Sequence, residues 1–287
     1  MAKTMNEPGR LTRTYADGEW HDGSPPVLAP DSQAMWLSSI VFDGARSIGR
    51  HIPDLDLHCR RVNRSAEILG LNPTLEAAEI EALARDGMKA FPPDIDLYIC
   101  PMYYAEDGFI TPVAESTKFV LSIYEAPLPE PAGFSACLSS FRRPDRDQAP
   151  TEAKASCLYP NVARAVQEAR DKGFDTAVVL DPFGNVAEFA YTNLFFTRDG
   201  QIVTPAPNGT FLNGITRQRV IQLLAADGTE VEERTVDYGE LAEADELFST
   251  GNYSKIMPCI RLDTRDLQPG PVYERVRALY MEFAEGC

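Results

Sequence analysis

Two stretches decide the fold: PTEAKASCLYP, residues 150–160, and GFDTAVVLDPFGNVAEFAYTNLFFTRDGQIVTP, residues 173–205. The first sets Lys154 among Ala153, Ala155, Ser156 and Cys157, small neighbours that let a bulky ligand approach the backbone. Most lysines are solvated surface charges. A desolvated one loses its charge more readily and becomes a nucleophile. The other lysines are Lys3, Lys89, Lys118, Lys172 and Lys255, of which Lys89 and Lys172 fall at expected helix ends. The second stretch predicts a strand and turn over TAVVLDPFGNVAEF. A hairpin follows, turning at Asp199-Gly200.

Working outward, residues 159–172 predict a helix, ITRQRVIQLLAADG another with a stop at Gly228, and residues 271–284 a third. ADELFSTGNYSKIMPCIRLD supplies the remaining strands of this half, and FSACLSSFRR opens it with one. Upstream, TYADGEWHDG predicts a hairpin at Asp17-Gly18, and MWLSSIVFDGARSI predicts two strands broken at Asp43-Gly44. LDLHCRRVNRSAEILG carries its apolar side at Leu55, Cys59, Val62, Ala66 and Leu69, an amphipathic helix. A second helix is expected near 76–90, then strands in IDLYICPMYYAE and TKFVLSIYEA. The proline-rich PLPEPAG, residues 127–133, is the linker expected between an N-terminal domain, 1–126, and a larger C-terminal one, 134–287. The class is α+β.

With 287 residues, 44% hydrophobic and 24% charged, the chain has the composition of a soluble globular protein. A formal net charge of −16 argues against nucleic acid or an anionic membrane as partner, since both select basic surfaces. No run approaches the roughly 20 apolar residues of a membrane helix. MAKTMNEPGRLTR lacks the apolar core of a secretory signal, so a cytoplasmic location is expected. The 6 cysteines are scattered without CxxC and are expected as free thiols. The 3 histidines, His21, His51 and His58, form no zinc pattern, so no metal is expected. GxSxG, GxxxxGK[ST] and GxGxxG are absent.

Taken in order, VFDGAR, the RRVNRSA helix, PTEAKASCLYP, GNVAEFAYTNLFF, FLNGITRQRV and ADELFSTGNYSKIMP resemble the class IV aminotransferase family over most of residues 36–263. That family includes branched-chain aminotransferases, D-amino-acid aminotransferases and aminodeoxychorismate lyases. The resemblance implies the two-domain fold of type IV pyridoxal-5′-phosphate (PLP) enzymes, with the cofactor in the cleft between domains. It implies that Lys154 is the Schiff-base lysine and proton shuttle. Glu188 is expected to pair with the pyridine nitrogen, keeping the ring protonated as an electron sink. Tyr159 is expected to hydrogen-bond the phenolic oxygen. Arg61, Gly214, Ile215, Thr216, Thr250, Gly251 and Asn252 are expected at the phosphate, the GIT turn offering a helix N-terminus. Arg60 is expected as a solvated neighbour, and Asn193 as a residue that orders its loop. At Asn252 the family usually has threonine.

The small-domain strand departs from the pattern. Branched-chain aminotransferases carry tyrosine-x-arginine-proline, where this chain reads Tyr98-Ile99-Cys100-Pro101. Losing such a charge-assisted carboxylate contact costs about 1.5–3 kcal/mol. The usual small-residue run after the glutamate is bulkier here, Phe189-Ala190-Tyr191. The substrate lining is expected to be apolar, built from Trp36, Phe42, Tyr98 and Cys100. The activity implied is ping-pong transfer of an amino group between a hydrophobic, branched-chain amino acid and a 2-oxo acid. Alternatives are an (R)-selective amine:pyruvate transaminase of the same fold, whose members also lack the arginine, and an inactive PLP-fold binding protein. By the same resemblance a homodimer is expected.

Overall fold

A computed structural model describes residues 9–286 of the chain. Most of the N-terminal stretch read for a leader, together with Lys3 and Cys287, lies outside the described residues. The chain divides into two compact units. The first runs through Leu128 and takes in Ala153–Cys157; the second comprises Pro129–Glu152 and Leu158–Gly286.

In the first unit, β1 (Thr12–Ala16) and β2 (Glu19–Asp22) form the expected hairpin. Asp17 and Gly18 both have positive φ, +50° and +85°, which a two-residue turn between twisted strands requires. Then come α1 (Gln33–Leu37), β3 (Ile40–Phe42), β4 (Ala45–Arg46), α2 (Leu55–Ile68), α3 (Ala77–Met88), β5 (Leu97–Ala105) and β6 (Thr117–Glu125). The sheet runs β2-β1-β6-β5-β3, with β4 also on β5. Its core packs Leu55, Cys59, Val62 and Ala66 of α2 and Ile80 and Ala84 of α3 with Ile99 and Ile123 of the sheet.

The first of the two strands expected in MWLSSIVFDGARSI is shorter than its apolar run, because the run begins in a helix. Ser32 caps α1 by accepting from the Met35 amide, and Ser38, at φ +59°, ends it, so MWL is helical and the strand begins only at Ile40. Serine capping competes with extended structure, and a short apolar run does not reveal which wins. Residues 153–157, assigned from sequence to the C-terminal domain, belong to the first unit because they lie along β3. Phe42 N donates to the Lys154 carbonyl at 3.1 Å, and Val41 bridges Ala155 in antiparallel sense.

The second unit contains β7 (Phe134–Arg142), α4 (Tyr159–Asp171), β8 (Thr176–Leu180), β9 (Val186–Phe189), β10 (Asn193–Arg198), β11 (Gln201–Pro205) and α5 (Ile215–Ala226). It closes with β12 (Val231–Arg234), α6 (Tyr238–Ala242), β13 (Glu246–Gly251), β14 (Lys255–Leu262), β15 (Arg265–Asp266) and α7 (Pro271–Glu285). The sheet order is β12-β11-β10-β13-β14-β7-β8-β9, with β15 on β14. β7 runs parallel to β8 and β14, with α4 as the crossover from β7 to β8. Sequence reading missed β12, α6 and β15, which are short; β12, VEER, has one apolar residue, Val231, and shows no apolar alternation. No helix among the described residues is long and apolar enough to cross a membrane.

Helix α7 starts at Pro271 without a capping side chain of its own. The buried Glu246 carboxylate, from β13, accepts from Val272 N at 3.2 Å and Tyr273 N at 2.7 Å instead. A Cβ at Gly270 would overlap that carboxylate. Glu246→Ala strands two donors of the first turn in a buried place, so its stability should fall by about 1–3 kcal/mol. Urea unfolding checks this, and an unchanged midpoint would remove Glu246 from the capping role.

Candidate active site

In the first unit the backbone grips Lys154 on both sides: its N–H donates to Ser65 Oγ of α2 at 3.1 Å, and its carbonyl accepts from Phe42 N. The amine is left over the Phe42 ring, 4.5 Å from its centroid. Cys100 of β5 is buried near enough for the Lys154 charge to act on it. Burial pushes the Cys100 thiol up to about 12, against the opposing pull of Lys154, so the thiol is neutral at physiological pH. Tyr98, on the same strand, places its hydroxyl where a Cβ on Gly44 would sit and stacks on Tyr124 at 5.4 Å. Trp36 does not join this lining. It is 74% exposed on α1, its indole N–H donating to the Pro30 carbonyl at 2.7 Å, because α1 turns Gln33 and Ala34 inward instead.

Arg61 of α2 meets a partner that sequence reading did not assign. Its Nε and Nη2 donate to Asp43 Oδ2 and Oδ1 at 2.6 and 2.8 Å. Asp43 is wholly buried, also accepts from Gly44 N at 2.7 Å, and lies 2.7 Å from His58 Nδ1. Burial alone would raise the Asp43 pKa, but the charges and hydrogen bonds of Arg61 and His58 hold it well below the usual carboxylate range. His58 and Arg61 are three apart on one helix face, a spacing visible in the sequence. Only the fold shows that Asp43 sits against both. Arg60 projects outward and pairs with Asp56 at 2.7 Å, as expected of a solvated neighbour.

In the second unit Glu188 of β9 is buried. Its Oε2 accepts from Asn193 Nδ2 at 3.2 Å, and its Oε1 lies 3.5 Å from Arg143 Nε. Arg142, the last residue of β7, reaches the Pro182 carbonyl, whereas Arg143, just past the end of the strand, turns in to Glu188 and donates through Nε to the Thr210 carbonyl at 3.0 Å; sequence alone does not rank the two. Asn193 Nδ2 also donates to the Leu212 carbonyl at 3.0 Å, and Oδ1 accepts from Gly214 N at 3.1 Å. Asn193 thus orders the turn that starts α5. Gly214 is the N-cap of α5 and offers no capping side chain; a Cβ there would overlap Asn193 Oδ1. Ile215 and Thr216 follow, both buried. Tyr159 is the first residue of α4.

Thr250 lies opposite Asn193 in the β10–β13 pairing, which brings the Thr250-Gly251-Asn252 turn beside Asn193 and the Gly214 amide it holds. Thr250 Oγ1 and Asn252 Nδ2 are buried and have no hydrogen-bond partner. Two orphaned donors next to an uncapped helix start fit a phosphate, which supplies the missing acceptor oxygens. Within the first unit Lys154 offers an amine in an apolar lining, and within the second Glu188 offers a buried, amide-held carboxylate; each by itself suits one part of a phosphorylated, lysine-attached cofactor.

The family described as Amino-transferase class IV matches residues 40–262, and the chain belongs to it. Among solved structures, an aminotransferase from Brucella abortus bound to PLP is 53% identical, with a TM-score of 0.95 over 96% of this chain and 100% of that one. The branched-chain aminotransferase of Thermoproteus uzoniensis with norvaline is 30% identical, with a TM-score of 0.89 over 97% and 96% of the two chains. A branched-chain-amino-acid aminotransferase of Pseudomonas aeruginosa is 31% identical over 95% of this chain and 92% of its own length.

Removing one partner from a buried ion pair leaves an uncompensated charge, so Asp43→Asn should lower stability by about 3–5 kcal/mol at neutral pH. The sign with pH follows from the depressed pKa. The Asp43 contribution is present above its unfolded value of about 3.9 and is lost as pH falls below it. The gap between wild type and variant in urea midpoint should therefore be widest near neutrality and narrow in acid. Equal midpoints at neutral pH would overturn the account.

Proposed function

We propose that this chain is a PLP-dependent aminotransferase moving the amino group of a hydrophobic, branched-chain amino acid to a 2-oxo acid. The observation that carries the reading is Lys154, gripped through its backbone with its amine over Phe42 and its charge acting on the neutral Cys100 thiol. Bound PLP supplies a carbonyl for covalent attachment and a ring that takes up the electron pair left when the substrate loses its Cα proton.

Lys154 Nζ is the attaching amine. When the donor's amine displaces it, Nζ takes the proton from the donor's Cα and returns it on the other side of the reaction. The Glu188 carboxylate, held by Asn193 and Arg143, keeps a proton on the pyridine nitrogen. Tyr159 orients the phenolic oxygen. Arg61, the amides of Ile215 and Thr216 at the helix start that Gly214 opens, and the Thr250-Gly251-Asn252 turn would bind the phosphate, the Gly214 amide being taken by Asn193 Oδ1. Phe42, Tyr98 and Cys100 exclude water around the donor's side chain. The 2-oxo product leaves before the second 2-oxo acid enters, giving ping-pong kinetics.

Relatives named as branched-chain aminotransferases across nearly the whole chain favour an L-amino donor. A homodimer is supported by an apolar surface on the first unit. There the exposed Met35 and Trp36 of α1 neighbour Phe109 and Ile110, whose turn is tied to α1 through Gln33 and the Phe109 carbonyl. A cytoplasmic location is supported by Cys59, Cys100, Cys137, Cys157 and Cys259, all free thiols.

Stopped-flow mixing of the holoenzyme with L-leucine, L-glutamate, D-alanine and (R)-1-phenylethylamine tests the donor class through loss of the visible cofactor band. L-Leucine should react fastest; a fast amine with inert L-amino acids would overturn the branched-chain assignment. Lys154→Ala should abolish turnover, and Glu188→Gln should keep PLP while slowing proton removal by roughly two orders of magnitude or more. Wild-type rates in either variant would remove that residue from its role. Light scattering should give twice the chain mass, and Ile110→Asp should shift it toward one.

A further inference from the structure

The β13–β14 hairpin turns through Asn252, Tyr253 and Ser254, with Gly251 paired to Lys255. In such three-residue loops the residue that re-enters the strand takes the left-handed conformation, a position that favours glycine. Here it is Lys255, at φ +57°. It is also only 2% exposed, unusual for the residue type least often found inside a protein. A lysine held in an unfavourable backbone conformation and an unfavourable environment needs a compensating role, and such sites cluster where ligands bind.

The role is visible one turn away. Lys255 Nζ donates to Asn252 Oδ1 at 2.6 Å. A carboxamide whose oxygen is taken by the lysine presents its nitrogen on the opposite side. That nitrogen, Asn252 Nδ2, is one of the two orphaned donors; the other is Thr250 Oγ1, whose residue is 1% exposed. Left alone, an asparagine in a turn can place either end of its amide toward a ligand, and an oxygen facing a phosphate would repel it. The lysine removes that choice.

We propose that Lys255 is a positioning residue for the cofactor phosphate: by fixing Asn252 Oδ1 it commits Nδ2, beside Thr250 Oγ1, to donate to the phosphate oxygens. The proposal rests on the PLP reading above. It accounts for asparagine at a position where the resembled family has threonine, because a hydroxyl rotates to suit its acceptor and needs no such fixing, whereas a carboxamide does.

Equilibrium dialysis of the holoenzyme against buffer, with bound PLP read by absorbance, measures the effect, and pyridoxal, which lacks the phosphate, is the control ligand. K255M and N252A should each weaken PLP by about tenfold to a hundredfold, the range for a lost hydrogen bond to a charged group. Pyridoxal affinity should stay within about twofold on the same grounds. The double variant should lose no more than the worse single one, and in an N252T background K255M should have no further effect on PLP. If K255M fails to fold, K255A, which also removes the donor but inserts no larger apolar end, carries the same comparison. Wild-type PLP affinity in K255M or K255A, equal loss of PLP and pyridoxal, or additive losses in the double variant would each overturn the proposal. Borohydride reduction of the wild type, followed by mapping of the labelled peptide, separates this from the parent reading. No label on Lys154 would overturn the PLP assignment and this proposal together, whereas a labelled Lys154 with an insensitive K255M sinks the positioning role alone.

Discussion

The second unit's site hangs on one carboxamide. Asn193 donates to Glu188 and to the Leu212 carbonyl, accepts from Gly214 N, and lies opposite Thr250 across the β10–β13 pairing. Three pieces of chain, β9, the 212–214 turn that starts α5 and the end of β13, are therefore fixed relative to one another through a single residue, the first two by its side chain and the third by its strand pairing. An amide suits the task because it has donors and an acceptor in a fixed plane, and here both ends are used. The absence of a Cβ at Gly214 lets its amide come close enough to be held. If Asn193 moved, the carboxylate proposed for the pyridine nitrogen and the donors proposed for the phosphate would move separately.

The first unit solves a similar problem with charge. Asp43, wholly buried, would be costly as an anion on its own, and it is retained because His58, Arg61 and the Gly44 amide all converge on it. The result is an arginine whose guanidinium is oriented from behind through Nε and Nη2. Orienting a cation by a buried anion resembles the logic at Lys255 and Asn252, where a lysine orients a neutral donor. In both places the group proposed to meet the phosphate is held by a second residue that does not meet it.

Much of the architecture was legible because its elements are long and periodic. The α2 face at Leu55, Cys59, Val62 and Ala66, and the hairpins at Asp17-Gly18 and Asp199-Gly200, follow from spacing and turn chemistry alone. Where elements are short the balance is local: α1 is decided by one serine cap, and β12 has no buried alternation to read. The motif residues Lys154, Glu188 and Asn252 stood out through resemblance. Their supports did not. Arg142 ends β7 and Arg143 lies just past it, so nothing in the sequence says which of the two turns in to Glu188, and Asp43 reads as half of a turn until α2 is laid against it. Trp36 went the other way: an aromatic in a motif block reads as pocket lining, but the register of α1 puts it outside.

The same contrast explains why Cys100 matters to the choice of substrate more than its size suggests. A thiol and a guanidinium both fill space beside a lysine amine, but burial keeps this thiol neutral, so the strand offers no charge to a substrate carboxylate. In the proposed lining of Phe42, Tyr98 and Cys100, a second carboxylate on the donor, as in glutamate, would meet a hydroxyl and a neutral thiol but no charge on those three side chains to offset its lost hydration. An aliphatic side chain gains from the same surroundings, because its transfer from water is favourable in proportion to the apolar area removed. Discrimination between the two follows from the penalty on the charged donor as much as from attraction of the apolar one.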